Sequence, residues 1–384
     1  MIIILTLTII DYLMRIAIVV PQIFIIHGNR MSLRLANRLS EIGFCVDVFV
    51  HTISKSLILD VKEMIGKANL ISIVETSNTQ NKLISYIRSQ YSQKYGKILC
   101  RKIMTIHEVN AYDCVLLVAN EARNLGQQIK KWNSQSKPLT IHVVMELNDH
   151  FFLRHSAIRF LVLKRLLMPF YSLIHYIELW RLSAFDSILT ISPWTSALLF
   201  YLYGIQSEME FVFYDDGEFF LISPVIKEDY IIVPTVAFEE SHYNTVRWLH
   251  SNGIKMLTYG PNSVKGVPSL GYLSDERMKI TISRARALLF LFDYEALGLI
   301  PIESLALGTP VITLAKEGPY SVLKENTHVY YPNSKKELLE LSKQVFTDEW
   351  SKQNQPISCN ESVAEYRLTL FIGKFTTFLR KMFF

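Results

Sequence analysis

The chain has 384 residues, enough to bury two cores of ordinary size; half of it is apolar and a fifth is charged. This composition is typical of globular proteins, and the net charge of +5 is too small to indicate nucleic-acid binding without a basic cluster. The four cysteines have no CxxC or metal-ligand spacing, which favours a reducing compartment. Cys45 and Cys114 lie in apolar, strand-like runs, and we predict that both are small core residues.

Residues 1–13 form an apolar stretch that is too short to span a bilayer. The stretch lacks the basic n-region and the small-residue cleavage site of a signal peptide. Because Met14 opens a run typical of a first buried strand, we interpret residues 1–13 as a dispensable extension before a natural start. A short segment that touches a membrane is the alternative. No other stretch reaches transmembrane length without charges.

The first half of the chain alternates buried strands with helices. Continuous apolar runs predict the strands, and apolar positions three and four residues apart predict the helices. Gly43 ends the first helix, and Ser192 begins the last. The predicted strands cover 15–21, 45–50, 70–74, 112–119 and 138–145, and the predicted helices cover 31–42, 82–95, 151–182 and 193–204.

A second alternation of strands and helices begins near Tyr230. Ser274 is predicted to cap a helix that runs through Met278. The other predicted helices cover 243–252 and 301–307, and the predicted strands cover 231–233, 255–259, 287–292 and 310–313. The two alternations together predict an α/β protein with parallel sheets.

The stretch Leu288–Thr313 carries the most specific pattern, a strand, a turn, a helix and a second strand. Its turn lies at the carboxyl edge of the predicted sheet, where open α/β folds bind ligands. Backbone amides at Gly298, Leu299 and Ile300 begin the helix and suit a phosphate. Glu295 before the helix and Glu303 inside it can face one crevice, where carboxylates accept hydrogen bonds from sugar hydroxyls.

The segment EALGLIPIESLALGTPVI, which begins at Glu295, resembles the E-x7-E signature of the retaining glycosyltransferases of family 4, and weaker similarity extends over most of the chain. This family has the GT-B fold, so the resemblance implies two Rossmann-like domains that face each other across a cleft. It implies that Glu303 binds the ribose of a nucleotide-sugar donor and that Glu295, as a catalytic group, contacts the donor sugar. The amides of Gly298 and Leu299 match those that hold the diphosphate.

Weaker features of the family match positions outside this segment. Gly28 follows the first strand, where the family often has a glycine pair near the donor phosphate; an ordinary loop is the alternative. His150, the second catalytic candidate, follows the strand at 138–145, near the place of a family histidine beside the donor sugar and acceptor; a surface or core histidine is the alternative. Gly271 and Tyr272 match a loop beside the nucleotide base.

One departure from the family concerns the charge of the diphosphate. Family members usually carry an arginine and a lysine after the first strand of the second domain, whereas residues 234–242 contain two acids and neither base. Arg247, Lys265 and Lys316 are the candidates to replace that pair. The alternative is that donor binding is weak or lost.

The resemblance also predicts the domain boundaries. Residues 14–215 would form the N-terminal, acceptor-side Rossmann-like domain, and residues 222–358 the C-terminal domain that binds the nucleotide sugar. Residues 360–384 would form a helix that crosses back to the first domain.

We therefore expect a retaining glycosyltransferase that moves a hexosyl-type sugar from a nucleotide-diphosphate sugar to an acceptor hydroxyl. The acceptor would belong to a glycan, a glycolipid or a lipid-linked molecule, and the nucleotide sugar is a co-substrate rather than a cofactor. No metal is expected, because Asp215 and Asp216 lack the spacing of a metal-binding DxD and suit a hinge turn with Gly217. The alternatives are a non-catalytic nucleotide-sugar-binding or scaffold protein, and a sugar-nucleotide epimerase, whose carboxylate and histidine pattern is not seen.

Two apolar segments with interspersed bases, 151–182 and 367–384, are typical of helices that lie on a membrane surface. They predict a cytoplasmic protein with a peripheral, reversible contact at the inner membrane face and a membrane-proximal acceptor. The alternative is that both helices close the domain interface and that their bases are solvated.

Overall fold

The computed structural model describes residues 14–23, 29–76, 93–119, 122–133, 136–145, 147, 171–221, 226–236 and 240–383. The chain divides into two compact units. Unit 1 comprises Met1–Ile191, Thr195–Phe211 and Ile372–Phe384, and unit 2 comprises Ser192–Trp194 and Val212–Phe371.

Unit 1 is built on a parallel sheet whose central strands, β1 and β5, are buried apolar runs, as expected for strands covered on both faces. The order β4-β3-β1-β5-β6-β7 reverses direction between β1 and β5, which is the doubly wound Rossmann arrangement. The short β2 follows β1 and pairs with the same neighbour, β3. The strands are β1 (Arg15–Val19), β2 (Gln22–Ile23), β3 (Cys45–Ser54), β4 (Asn69–Thr76), β5 (Cys114–Val118), β6 (Leu139–Val144) and β7 (Ser187–Thr190).

Unit 2 is built on a second parallel sheet with the order β12-β11-β10-β8-β9. Numbered in chain order within the unit and read from β9, this order is 2-1-3-4-5. The direction of winding reverses between β8 and β10. Ligands of such sheets bind beyond the carboxyl ends of the strands at this reversal. The strands are β8 (Glu228–Pro234), β9 (Met256–Tyr259), β10 (Ala285–Phe290), β11 (Val311–Thr313) and β12 (Val329–Tyr330).

Helices connect the strands in both units. Ser274 accepts a hydrogen bond from the Arg277 amide at 3.4 Å, which confirms it as a helix cap. The helices of the described residues are α1 (Arg30–Glu41), α2 (Ile58–Ile65), α3 (Gln93–Asn110), α4 (Leu125–Lys130), α5 (Tyr171–Leu182), α6 (Pro193–Tyr203), α7 (Glu240–Ser251), α8 (Asp275–Arg284), α9 (Leu299–Ala306), α10 (Glu317–Leu323), α11 (Lys335–Gln344), α12 (Asp348–Gln353), α13 (Pro356–Glu361) and α14 (Leu368–Phe383).

The prediction of an α/β protein with parallel sheets is confirmed. Cys114 is buried as predicted, but the prediction for Cys45 was wrong: it is exposed as the first residue of β3, where the strand has not yet entered the core. The predicted helix at 82–95 lies outside the described residues except for its last three, and residues 151–170 of the long predicted helix also lie outside them. No helix in the described part of the chain is long and apolar enough to cross a bilayer.

Candidate functional site

The candidate site lies at the carboxyl edge of the sheet in unit 2, at the reversal between β8 and β10. The chain leaves β10 through a loop at 291–298 and enters α9. A second turn, at 314–318, leads from β11 into α10 beside that loop. The residues of the E-x7-E segment therefore stand where the topology places ligands.

Hydrogen bonds of Glu295 stabilise the loop after β10. Its Oε1 accepts hydrogen bonds from the amides of Leu297 (3.3 Å) and Gly298 (3.1 Å). Its own amide donates to Glu317 Oε2 (3.0 Å), and its carbonyl oxygen accepts from the Gly318 amide (3.0 Å). Burial raises the pKa of Glu295 and the nearby Glu317 adds to this, while the amide hydrogen bonds oppose the increase.

The two loops approach so closely that glycine is needed on each. A Cβ on Gly318 would collide with the Ala296 carbonyl group. Gly298 has a left-handed φ of +85°, and a Cβ there would lie 2.7 Å from Pro319 Cγ. From another part of unit 2, the buried Ser192 hydroxyl donates to the Ala296 carbonyl oxygen (2.6 Å). The loop is thus held from both sides.

The three predicted phosphate-binding amides differ in whether the protein already supplies a hydrogen-bond acceptor. The Gly298 amide donates to Glu295 Oε1, so the protein itself supplies its acceptor. Leu299 and Ile300 form the first positions of α9, where helix geometry gives an amide no intrahelical acceptor. The third position is Pro301, which has no amide hydrogen. The backbone amides of Leu299 and Ile300 are therefore suited to bind an anion at the start of the helix.

Glu303 lies on the buried side of α9 and is 7% exposed. Tyr259 ends β9 and is also 7% exposed. Burial and the charge of Glu303 both raise the pKa of Tyr259. Sequence analysis predicted Glu303 as a site residue but missed Tyr259. The available signal was a tyrosine that ends an otherwise apolar strand directly before Gly260.

Lys316 is the candidate cation that the structure brings to this edge. Its Nζ donates to the Asp293 carbonyl oxygen (2.9 Å) and lies 5.2 Å from the ring centre of Phe292. His242, which sequence analysis did not single out, has its Nε2 3.5 Å from Asp293 Oδ1. Burial lowers the pKa of His242, Asp293 opposes this decrease, and Lys316 adds to it. By contrast, Arg247 on α7 and Lys265 in the loop after β9 are exposed side chains.

Of the other predicted site residues, only Gly271 and Tyr272 lie among the described residues. Gly271 has a left-handed φ of +65° and its carbonyl oxygen accepts from the Gly260 amide (2.9 Å), whereas the Tyr272 side chain is 71% exposed. Gly28 and His150 lie outside the described residues, so their roles stay predictions.

Two further expectations concern metal ions. Asp215 Oδ1 accepts from the Gly217 amide (3.0 Å), and Asp216 accepts from the amide and hydroxyl of Thr369 (3.1 and 2.7 Å). The predicted turn is therefore present. In the described residues no three His, Cys, Asp or Glu side chains are grouped as metal ligands would be, and metal-independent catalysis stays a prediction.

Comparison with known proteins gives a family match for part of the chain and a fold for almost all of it. Residues 263–361 match the family model of glycosyl transferases group 1. This segment contains the loop after β10, α9 and Lys316. No curated protein sequence matches the chain.

Solved glycosyltransferase structures share the fold along almost the entire chain. Sucrose-phosphate synthase from Thermosynechococcus elongatus aligns with a TM-score of 0.72 at 15% identity, over 96% of this chain and 99% of that one. WaaG, a glycosyltransferase involved in lipopolysaccharide biosynthesis, gives 0.61 at 13% identity, over 94% and 99%. Anabaena HepE in complex with UDP and glucose gives 0.64 at 11% identity, over 95% and 98%. The predicted GT-B fold is confirmed.

The close approach at Gly298 leads to a test with a matched control. Gly253 has the same φ of +85°, but no atom lies within 4 Å of the position that a Cβ would take there. We expect both Gly298→Ala and Gly253→Ala to lose about 1–2 kcal/mol of unfolding free energy through the left-handed backbone. Gly298→Ala should lose roughly 1–3 kcal/mol more, because Pro319 must move. Chemical denaturation measures both; equal losses would contradict the proposed tight packing of the two loops.

Proposed function

We propose, from the match of residues 263–361 to glycosyl transferases group 1 on a chain of the GT-B fold, that the protein transfers a sugar from a nucleotide-diphosphate sugar to an acceptor hydroxyl. The donor binds at the carboxyl edge of the sheet in unit 2, and the acceptor is bound by unit 1. The observation that carries this proposal is the pair of carboxylates, Glu295 and Glu303, at the winding reversal of that sheet.

Each side chain of the site has a proposed part in donor binding. Glu303 accepts hydrogen bonds from the ribose hydroxyls, and Glu295 faces the donor sugar. The amides of Leu299 and Ile300 bind the diphosphate, together with the charge of Lys316. Because the diphosphate is the leaving group, stabilising its developing negative charge lowers the barrier to transfer.

We further propose transfer with retention of configuration and without a metal. The leaving diphosphate can assist the incoming hydroxyl on the same face of the sugar, so no protein nucleophile is required. Lys316 and the helix amides then supply the positive potential that a metal would otherwise provide. The transferred group is a hexosyl-type sugar in this proposal.

A non-catalytic nucleotide-sugar-binding protein is the second candidate. It is favoured by the residues directly after β8, where neither lysine nor arginine occurs up to His242. It is also favoured by Glu295, which occupies the Gly298 amide. Incubation of the purified protein with nucleotide sugars separates the two functions, since only the enzyme hydrolyses or transfers the donor sugar.

Glu303→Gln tests the donor site. We expect nucleoside diphosphate binding to weaken by roughly 1–3 kcal/mol, because the ribose hydroxyls lose a charged acceptor. Calorimetric titration with UDP, GDP and ADP measures this change. Unchanged affinity in a folded Glu303→Gln protein would contradict the role of Glu303.

Transfer should survive a chelator such as EDTA. Activity that is lost with EDTA and restored by Mg²⁺ or Mn²⁺ would contradict the metal-independent mechanism.

Lys316→Met tests whether Lys316 replaces the arginine and lysine that are absent after β8. We expect the affinity for a nucleoside diphosphate to fall by roughly 1.5–3 kcal/mol, because a charged partner of the diphosphate is removed. The affinity for the monophosphate should change less. Lys265→Met and Arg247→Met remove the same charge from exposed positions and serve as controls. If either control weakens binding as much as Lys316→Met does, the assignment to Lys316 is wrong.

We also propose a peripheral contact of unit 1 with anionic membrane and an acceptor near that surface. On α5, Leu173, Tyr176 and Trp180 expose apolar side chains at helical spacing, with exposed fractions of 55%, 66% and 45%. On α14, the last turn carries Arg380 and Lys381. Apolar and aromatic groups insert at a membrane interface, and basic residues are attracted to anionic headgroups.

Co-sedimentation with liposomes tests the membrane proposal. Binding to vesicles with anionic lipid should fall as salt rises, and Arg380→Gln with Lys381→Gln should weaken it by about 1 kcal/mol per charge. Lys335→Gln with Lys336→Gln removes two exposed charges from unit 2 and is the matched control. Protein that stays in the supernatant with anionic vesicles at low salt would favour a soluble acceptor.

A further inference from the structure

Tyr259 presents a buried polar group that the proposed function does not yet use. The side chain is 7% exposed, and its hydroxyl is shielded from solvent. That hydroxyl forms no hydrogen bond with any of the described residues. Buried hydroxyl groups are almost always paired, so an orphaned one in a native structure needs an explanation.

The register of the sheet places Tyr259 at the carboxyl edge. Tyr259 on β9 pairs with Pro234 on β8. Two residues earlier on β8, Ile232 pairs with Leu288 on β10, so the row of Tyr259 and Pro234 continues to Phe290. This row is the last one before the carboxyl edge of the sheet. Tyr259 therefore ends its strand at the level where the loop after β10 leaves the sheet.

The alternation of side chains gives the face. Met256 and Leu289 point into the apolar core on one side of the sheet. Tyr259 is an odd number of residues from Met256, so it points to the opposite side. Helix α9 packs against β10 and β11, and its buried residues Ile302 and Leu305 are absent from the core on the first side. Tyr259 and Glu303 thus share one face of the sheet.

The local backbone holds Tyr259 in this position. The Tyr259 carbonyl oxygen accepts from the Thr235 amide (2.8 Å) and from the Thr235 hydroxyl (3.0 Å). The following Gly260 has a left-handed φ of +119°, and a Cβ there would lie 2.8 Å from the Thr235 hydroxyl oxygen. The tyrosine is therefore fixed at its backbone, while its hydroxyl is left without a partner among the described residues.

We propose that Tyr259 is a positioning residue for the donor ribose, whose hydroxyl donates a hydrogen bond to the Glu303 carboxylate when that carboxylate binds the ribose hydroxyls. The inference rests on the proposed function. An ionised carboxylate has about four acceptor positions, enough for a tyrosine hydroxyl and two ribose hydroxyls together. A donor from the protein side fixes the rotation of the carboxylate, and it keeps the group ionised.

The proposal makes an uncommon combination of predictions for Tyr259→Phe, which removes only the hydroxyl. Thermal stability without ligand should stay the same or rise, because an unpaired buried polar group is replaced by an apolar one. The dissociation constant for the best binder among UDP, GDP and ADP should increase about tenfold. A purely structural hydroxyl would give the opposite pair of results, lower stability with unchanged binding.

A second measurement separates positioning from packing. Removal of the ribose hydroxyls, with the 2′,3′-dideoxy analogue of the same nucleotide, should weaken binding strongly in the natural protein and much less in Tyr259→Phe. In a Glu303→Gln background, Tyr259→Phe should have little further effect, since it acts through that carboxylate. Tyr331 is the matched control, because its buried hydroxyl also lacks a partner among the described residues. Tyr331 follows β12, which is the last strand at the other end of the strand order from β9. Tyr331→Phe should leave nucleotide binding unchanged.

The results distinguish failure of the proposed function from failure of the role of Tyr259 alone. If neither UDP, GDP nor ADP binds the natural protein, the proposed function fails and this inference fails with it. If binding depends on Glu303 but is unchanged in Tyr259→Phe, the inference alone is overturned. A Tyr259→Phe protein that does not fold, or a Tyr331→Phe protein with the same loss of affinity, would also overturn it.

Discussion

The main packing constraint in unit 2 lies where the loop at 291–298 and the turn at 314–318 cross in close contact at the carboxyl edge of the sheet. The Glu295 amide and carbonyl oxygen are both bound by the turn at Glu317 and Gly318. This crossing places a non-glycine residue, Glu317, at a left-handed φ of +57°, a conformation that costs free energy. The carboxylate of the same residue accepts the Glu295 amide, which offsets part of that cost. The start of α9 and the position of Lys316 both depend on this crossing.

Two buried polar side chains at opposite edges of the same sheet, Lys227 and Tyr259, differ in their hydrogen bonding. At the amino edge, Lys227 donates to the carbonyl oxygens of Ser283 and Gly308 and to the Thr309 hydroxyl, at 2.7–2.8 Å. Burial lowers the pKa of Lys227 to about 7, yet its donors are matched to acceptors that precede two strands. At the carboxyl edge, the Tyr259 hydroxyl has no partner among the described residues. A buried polar group that serves only stability is expected to be paired, as Lys227 is.

Strands and the central motif were predictable from sequence because both are local. A strand buried on both faces must be a continuous apolar run, and Glu295, Gly298 and Glu303 fall within a single strand, turn and helix. Cys45 was assigned wrongly because periodicity does not show where a strand enters the core. Tyr259 was missed because its relation to Glu303 arises from the register of three strands.

The order of the strands explains how a chain can lack bases after β8 and still carry a positive charge at the same edge. Strand β10 lies between β8 and β11, so the loops after β8 and β11 flank the loop after β10 from opposite sides. His242, after β8, meets the Asp293 carboxylate, and Lys316, after β11, meets the Asp293 carbonyl oxygen. A base that moves from one flanking loop to the other therefore keeps the same neighbour. Under the proposed function, the charge that opposes the diphosphate depends on the place of a loop in the sheet rather than on its place in the sequence.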